Sequence, residues 1–407
     1  MENSIDPARQ EALRGIIRKL HEGKPAQEVK SEFAALIKNV SATEVAAMEQ
    51  ALIDGGMPVE EVQRLCEVHV SVFEASLAKG AKPSGMPGHP IHSMLQENRK
   101  ARELIGRLMS GARAWRWGVG SRENALDALA EIGKIVVHYT RKENQLFPYL
   151  EKQGFTGPSR VMWGKHDEIR AALKTAEAAS LAGPKQFLAA ARKAASAMRK
   201  MIFMEERILL PEAARRLSER EWAEIRMGEE AIGYAWIQPA SIYDAAIVMA
   251  RTKAASAPVR APGSDSATPG APGADLIELA TGLLPRLTLD AALRTMPMDI
   301  SIVGPDDKVL YYSDNPHRIF PRSPAAIGRS VQNCHPQKSV HIVEKILEDF
   351  KKGSRDKARF WIQMGGRFIL IEYYALRSPE GEYLGTLEAS QDLTELRTLE
   401  GQKRLLD

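Results

Sequence analysis

Apolar residues recur every three or four positions over the first eighty residues of the chain. One such stripe consists of Ala8, Leu13, Ile16, Ile17 and Leu20. A second stripe follows between positions 58 and 77. Because this spacing puts apolar side chains on one face of an α-helix, it predicts a small helical domain over residues 1–80.

Longer helical patterns follow and predict four helices packed into one bundle over residues 86–220. Within them, the segment HYTRKENQLFPYLE from His138 matches the segment MIFMEERILLPEAA from Met201. When the two segments are aligned on their prolines, Glu143 corresponds to Glu206. Two helices that match in this way predict a polar site inside the bundle.

The pattern changes beyond the bundle. Residues 221–253 are irregular and predict a closing segment on the bundle. Residues 254–274 are rich in Ala, Pro, Gly and Ser, a composition that cannot bury a core, so they predict a flexible linker.

A second domain of mixed structure follows the linker. Residues 275–296 predict a lead-in helix. Residues 297–392 predict two strands, a helical stretch and three further strands separated by turn residues. Leucines at near-heptad spacing predict a helical tail over residues 393–407. The expected fold class is therefore multidomain, with an all-α N-terminal part that contains a four-helix bundle, followed by an α+β domain.

Composition and charge limit the expected surroundings and partners. The chain has 407 residues and a formal net charge of +4, which is small for this length and gives no reason to expect nucleic acid or a membrane surface as a partner. No apolar run approaches the roughly 20 residues of a membrane span. The two cysteines lie far apart in the sequence and predict no disulfide framework. We therefore expect a cytoplasmic protein.

Histidine and glutamate on the inner faces of a helical bundle are a composition typical of metal sites. Between positions 87 and 211 the histidines are His89, His92, His138 and His166. Imidazole and carboxylate together suit iron, manganese or zinc. Glu143 lies on an apolar stripe, where a carboxylate is costly unless it is paired or bound to metal. The alternative is that these glutamates are ion-paired or solvated.

The spacing of His138 and Glu143 is awkward for a shared site. The two residues point about 140° apart on an ideal helix. They reach one site only across a broad core face or through a distorted turn.

Cys66 and His69 form a second candidate pair in the N-terminal region. They are three residues apart, so they can meet on one helix surface. One hypothesis is a redox or auxiliary metal-ligand pair beside the bundle. The other is a buried free cysteine next to a core histidine, since free cysteine is usually buried.

Residues 89–211 resemble the hemerythrin-like, cation-binding HHE family. The resemblance rests on His92, on His138 with ENQLFP, on KHDEIR around His166, and on EERILLP. It implies a non-haem iron site, a di-iron one in the usual case, with zinc or manganese as alternatives. The metal ligands that it implies are His89, His92, His138, Glu143, His166, Glu205 and Glu206.

The sequence departs from the family pattern at three positions. In the family, the second helix of the bundle usually has a glutamate where this chain has Lys142. The third helix often has a second histidine where this chain has Arg170, and the fourth usually has a histidine where it has Met201. These departures imply a site with fewer or rearranged ligands. Such a site would hold one metal, a different metal pair, or none.

Residues 297–392 resemble a PAS domain in the order of their strands and helices. PAS domains are sensory and dimerising modules, so the resemblance implies a homodimer formed through this domain and the tail. It also implies a ligand such as haem or flavin in some members. His335 and His341 are the candidate ligand residues, and the alternative for His341 is a polar residue on a packed helix.

Together the resemblances imply a cytoplasmic metal-binding sensor or signalling protein that responds to oxygen, nitric oxide or redox state through a non-haem iron site. A downstream protein partner would receive the signal, because the sequence has no kinase motif and no DNA-binding helix pair. One alternative is a metal-dependent scavenger of oxygen, peroxide or nitric oxide, or an iron–sulfur repair protein. Another is a metal-free interaction scaffold.

Overall fold

The computed structural model describes residues 7–38, 84–255, 276–315 and 318–402, and single positions between 40 and 77. It divides into two compact units, Met1–Thr252 and Lys253–Asp407. In the first unit, three short helices come first: α1 (Pro7–His21), α2 (Ala26–Glu32) and α3 (Ala34–Ile37). Their apolar stripes are buried at Ile16, Ile17, Leu20 and Val29.

Four helical stretches then form an antiparallel bundle. They are α4 (Pro90–Arg116), α5 to α7 (Arg122–Gly133, Ile135–Arg141, Phe147–Lys152), α8 (Gly157–Ala179), and α9 with α10 (Pro184–Met204, Leu210–Arg216). Helix α4 packs against α5 and α9, and α8 packs against the same two, so the four close into a ring. Prolines at the first or second helical position start α4, α8 and α9, where the missing N–H costs no helical hydrogen bond.

Two π-helical turns interrupt the bundle at matching positions. They span Lys142–Leu146 and Glu205–Leu209, and each closes with a hydrogen bond between residues five apart. Pro148 and Pro211 follow the two turns. A proline ring clashes with the carbonyl four residues earlier, and a wider turn upstream relieves that clash. Three consecutive charged residues are buried where the first of these turns begins: Arg141, Lys142 and Glu143.

A closing segment follows the bundle. Helix α11 (Glu219–Glu229) begins with a capping box formed by Ser218 and Glu221. Residues 230–244 have no regular secondary structure, and helix α12 (Ala245–Ala255) follows them. Among the described residues, no helix combines the length and apolar character that a membrane crossing requires.

The second unit is built on a five-stranded antiparallel sheet. Its strands are β3 (Asp299–Val303), β4 (Val309–Tyr312), β5 (Lys357–Met364), β6 (Arg367–Arg377) and β7 (Tyr383–Asp392), in the spatial order β4-β3-β7-β6-β5. Helix α14 (Gln337–Lys352) packs on one face of this sheet. Its buried side chains Val343, Ile346, Leu347 and Phe350 contribute to two core clusters.

Two expectations for the second unit need correction. The lead-in helix predicted over 275–296 begins only at Arg286, because β1 (Leu276–Leu279) and β2 (Gly282–Pro285) form a hairpin before α13 (Arg286–Thr295). Pro285 disfavours helical backbone in the residue before it, so that residue stays extended in β2 and the helix begins only after the proline. In place of the predicted helical tail, residues 393–402 contain one 3₁₀ turn, Leu396–Thr398, and residues 403–407 lie outside the description.

Candidate functional site

The ammonium group of Lys142 lies at the centre of the bundle and connects three helical stretches. Its Nζ donates to the carboxylate of Glu205 and, at 3.1 Å, to Nε2 of His166. It also lies 4.7 Å from the centroid of the Tyr139 ring. Lys142 itself is fully buried. Burial lowers the pKa of Lys142, and the Glu205 carboxylate opposes that shift.

His138 bridges two carboxylates next to this ammonium group. Its Nδ1 lies 2.6 Å from Glu97 Oε2 and its Nε2 lies 3.0 Å from Glu205 Oε2. Burial alone would raise the pKa of both carboxyls, but His138 with Arg141 lowers that of Glu97 to about 2, and Lys142 with His138 lowers that of Glu205 to about 2. Both ring nitrogens of His138 therefore face carboxylate oxygens that come from two other helical stretches.

His166 continues the network on the other side of Lys142. Because an ammonium group only donates, Nε2 of His166 accepts and its proton is on Nδ1, which donates to Glu143 Oε1 at 2.7 Å. Burial lowers the pKa of His166 well below its usual value. Burial also raises the pKa of Glu143 to about 7, although Arg170 donates to its Oε2 at 2.8 Å.

Arg141 forms the third arm of the network. It donates to both oxygens of Glu97, at 3.2 and 2.5 Å, and its Nε lies 3.1 Å from Glu229 Oε1. The guanidinium group also stacks over the Tyr234 ring at 4.4 Å. Arg141, Glu97 and Glu229 are all fully buried, so their charges are neutralised by each other and not by water.

The structure brings together four of the seven residues predicted as metal ligands: His138, Glu143, His166 and Glu205. A π-helical turn at Lys142–Leu146 begins between His138 and Glu143. Cys66 and His69 lie outside the described residues, so their pairing stays a prediction.

The remaining three predicted ligands have partners away from the network. His89 caps α4 by accepting from the Ile91 N–H at 3.2 Å, and its ring packs against Trp222 and Tyr243. His92 contacts Gln96 Nε2 at 3.2 Å. Glu206 forms a two-fold ion pair with Arg102 at 2.8 and 2.7 Å.

Sequence reasoning missed three residues of the network: Glu97, Arg141 and Glu229. Glu97 does carry a signal, because it shares helical spacing with the buried residues Met94, Ala101 and Leu104. The signal at Arg141 is its place in a run of three charged residues within an otherwise apolar helix. We find no comparable signal at Glu229.

In the second unit, the two candidate ligand residues lie in different surroundings. His335 Nδ1 donates to the carbonyl of Val331 at 2.8 Å, and burial lowers the pKa of His335. Cys334 packs against the apolar cluster of β3, β4 and α14. His341 is exposed on α14. A haem or flavin ligand of this unit stays a prediction.

Comparison with protein families matches three stretches of the chain. Residues 13–79 match a family of unknown function, DUF438. Residues 89–213 match the hemerythrin HHE cation binding domain, and residues 289–394 match the PAS domain. No curated protein matches the chain.

Several solved structures resemble part of the chain. One is a C-terminal domain from Streptococcus mutans, 32% identical, which covers 31% of this chain and 97% of its own, with a TM-score of 0.30. A sensory box sensor histidine kinase from Vibrio cholerae is 14% identical over 27% of this chain and 92% of its own, with a TM-score of 0.21. The sensor region of a sensor histidine kinase is 18% identical over 24% of this chain and 40% of its own, with a TM-score of 0.19.

The fold and the family matches define a multidomain protein with a helical bundle followed by an antiparallel-sheet domain. The chain carries, in order, a DUF438 domain, a hemerythrin HHE domain and a PAS domain. The sequence predicted the HHE and PAS domains and a small helical domain before them. The HHE and PAS domains together support a sensor or signalling protein.

The HHE family description implies cation binding, so we tested whether the network fits a metal ion. Both nitrogens of His138 and both nitrogens of His166 already have hydrogen-bond partners. Two cationic groups, on Lys142 and Arg141, lie among the carboxylates that a divalent ion would need. Among the residues that the structure describes, no three His, Cys, Asp or Glu side chains are placed to hold one ion. The residues present therefore do not fit a metal centre in this arrangement.

Glu206 is expected to matter little for stability. Its partner Arg102 has a side chain that is 48% exposed, and ion pairs at such positions contribute about 0–1 kcal/mol. We expect Glu206→Gln to lower the free energy of unfolding by no more than about 1 kcal/mol in urea titrations. A loss above about 2 kcal/mol would show that Glu206 belongs to the buried network.

Proposed function

We propose that this protein is a signalling protein in which the HHE domain receives the input and the PAS domain relays it. The observation that carries this proposal is a direct contact between the buried network and residues 230–244. Glu97 Oε1 accepts from the backbone N–H of Ala235 at 2.8 Å, and Arg141 donates to the carbonyl of Gly233 at 3.2 Å. The charged groups at the centre of the bundle therefore hold residues 230–244, the non-helical part of the closing segment, in place.

Further contacts fix the same segment to the outside of the bundle. Trp236 Nε1 donates to the Glu131 carbonyl at 3.0 Å, and the Tyr243 N–H donates to the Pro87 carbonyl at 3.1 Å. The chain then continues through α12 towards the PAS domain. A change in the network that breaks the Arg141 and Glu97 contacts would free this segment, which precedes the PAS domain in the sequence.

A matched pair of glycine substitutions tests the relay without removing any charge. Gly88 has a φ of +93°, and a Cβ there would lie 2.1 Å from the Ala240 carbonyl oxygen, so Gly88→Ala should push the segment away. We expect faster deuterium exchange in residues 230–244 and altered exchange in residues 276–402 of the full chain.

The control for this experiment is Gly106→Ala. Gly106 lies in α4, the first helix of the bundle, and nothing would lie within 4 Å of a Cβ added there. It should leave exchange unchanged in both regions. Faster exchange in 230–244 with unchanged exchange throughout 276–402 would contradict the relay.

An iron-dependent sensor of oxygen, nitric oxide or redox state is the second candidate function. The observation that favours it is the convergence of His138, His166, Glu143 and Glu205 in one buried place. A scavenging or repair enzyme would need the same metal and, in addition, turnover with an external electron donor. Metal content of the anaerobically purified chain separates both from a metal-free module.

A further inference from the structure

We infer that the ammonium group of Lys142 is a built-in cation that stands in for the metal of this HHE domain, so that the bundle neutralises its buried acids without a metal ion. The carrying observation is that Nζ of Lys142, itself fully buried, contacts Glu205 and His166 on two other helical stretches. The inference is independent of the relay proposed above.

The position of Lys142 supports this assignment. It lies four residues after His138, where the family resemblance implies a carboxylate ligand. A lysine side chain there brings a positive charge into the bundle on a flexible four-carbon stem. The charge reaches an imidazole and a carboxylate from different helices, which are the groups that a bound cation would otherwise hold together.

Each acid of the network has a basic partner within the network, without any further ion. Four acids meet four basic groups in direct contact. The acids are Glu97, Glu143, Glu205 and Glu229, and the basic groups are His138, Arg141, Lys142 and Arg170. A buried carboxylate without a partner would be costly, so this pairing removes the reason for a metal ion to be present. An added divalent ion would also be repelled by the cationic groups of Lys142 and Arg141.

The other two departures from the family pattern agree with this reading. Arg170, where a second histidine is usual, donates to Glu143 and neutralises it in part. Met201, where another histidine is usual, is fully buried and apolar, so it leaves no empty ligand position that needs a partner. All three substituted positions thus suit a core that is held by internal ion pairs.

Substitution of Lys142 tests the inference directly in the full chain. Lys142→Glu removes the built-in cation and supplies the carboxylate that the family pattern has. We expect its unfolding midpoint to drop in EDTA and to recover by at least roughly 5 °C when Fe(II), Mn(II) or Zn(II) is added. Wild-type protein should show the same midpoint, within about 1 °C, in EDTA and in each metal.

Lys142→Gln is the matched control, because it removes the charge but adds no carboxylate. Lys142→Gln should have a lower unfolding midpoint than wild type, and added metal should not raise that midpoint. If Lys142→Glu does not fold, the wild-type titration and the Lys142→Gln titration still decide the matter. A wild-type midpoint that rises by roughly 5 °C or more with one of these metals would overturn the inference, and so would metal rescue of Lys142→Gln. Neither of these metal titrations tests the proposed relay, which is tested separately by deuterium exchange in residues 276–402.

Discussion

Lys142→Met is expected to lower the free energy of unfolding by about 3–5 kcal/mol in urea titrations at neutral pH. The substitution keeps most of the side-chain volume but removes the ammonium group. Glu205 then remains buried with one fewer partner, and His166 Nε2 loses its donor. The cost arises because a buried charge without its partner is strongly destabilising, whereas the intact pair is close to neutral.

Two further variants show whether the loss of unfolding free energy comes from the buried Glu205 carboxylate that no longer has Lys142 as its partner. Lys100→Met makes the same change at an exposed position that pairs with Glu103, and it should alter stability by less than about 1 kcal/mol. Lys142→Met combined with Glu205→Met removes both buried partners and should be more stable than Lys142→Met alone. The pairing of Lys142 with Glu205 would be refuted if Lys142→Met were as stable as wild type. It would also be refuted if the double variant were less stable than Lys142→Met alone.

Arg141→Met is expected to cause a second large loss, again about 3–5 kcal/mol. It leaves Glu97 with fewer partners and Glu229 without its buried cation, and it removes the hydrogen bond to the Gly233 carbonyl. We therefore expect limited proteolysis to cut within residues 230–244 faster than in wild type.

Arg220→Met is the matched control for this variant. Arg220 lies on α11 and pairs with Glu224 through a side chain that is 55% exposed. Arg220→Met should change the free energy of unfolding by less than about 1 kcal/mol and leave the rate of proteolysis within residues 230–244 unaltered. If Arg141→Met lowers stability but leaves the cleavage rate of 230–244 unchanged, Arg141 does not hold the closing segment.

Much of the domain order could be predicted from local signals. The match between the segments around Pro148 and Pro211 indicated two equivalent helices, and both contain a π-helical turn at the same place. Helical spacing indicated four helical stretches, and the linker composition separated the mixed domain from them. These signals are local, because periodicity and turn residues act over a few positions of the chain.

The partners inside the bundle could not be predicted in the same way. From the sequence alone, Lys142 indicates only a lost metal ligand. Its partner Glu205 could not be predicted, because it is 63 positions away and belongs to another helix. Arg141 has its partner Glu97 in α4, 44 positions earlier. The pairing of charged side chains from different helices depends on how the packed helices are rotated about their axes and on the two π-helical turns. A single sequence does not report that rotation.

The second unit shows the same limit on a smaller scale. The apolar positions of 275–296 suit either a helix or a strand, and the turn at residues 280–281, followed by Gly282, favours a hairpin before Arg286. In the tail, Thr394 donates to Asp392 Oδ1 through its N–H and hydroxyl, which competes with helix formation after β7. Leucine spacing alone does not show such local competition.

The most direct test of the built-in cation is the metal content of the full chain, purified without oxygen from cells supplied with iron and analysed by plasma mass spectrometry. We expect far less than one iron, zinc or manganese per chain, with unfolding midpoints that are equal before and after EDTA treatment. One or two ions per chain, lost together with stability on chelation, would contradict the account and establish a metal centre in the HHE domain.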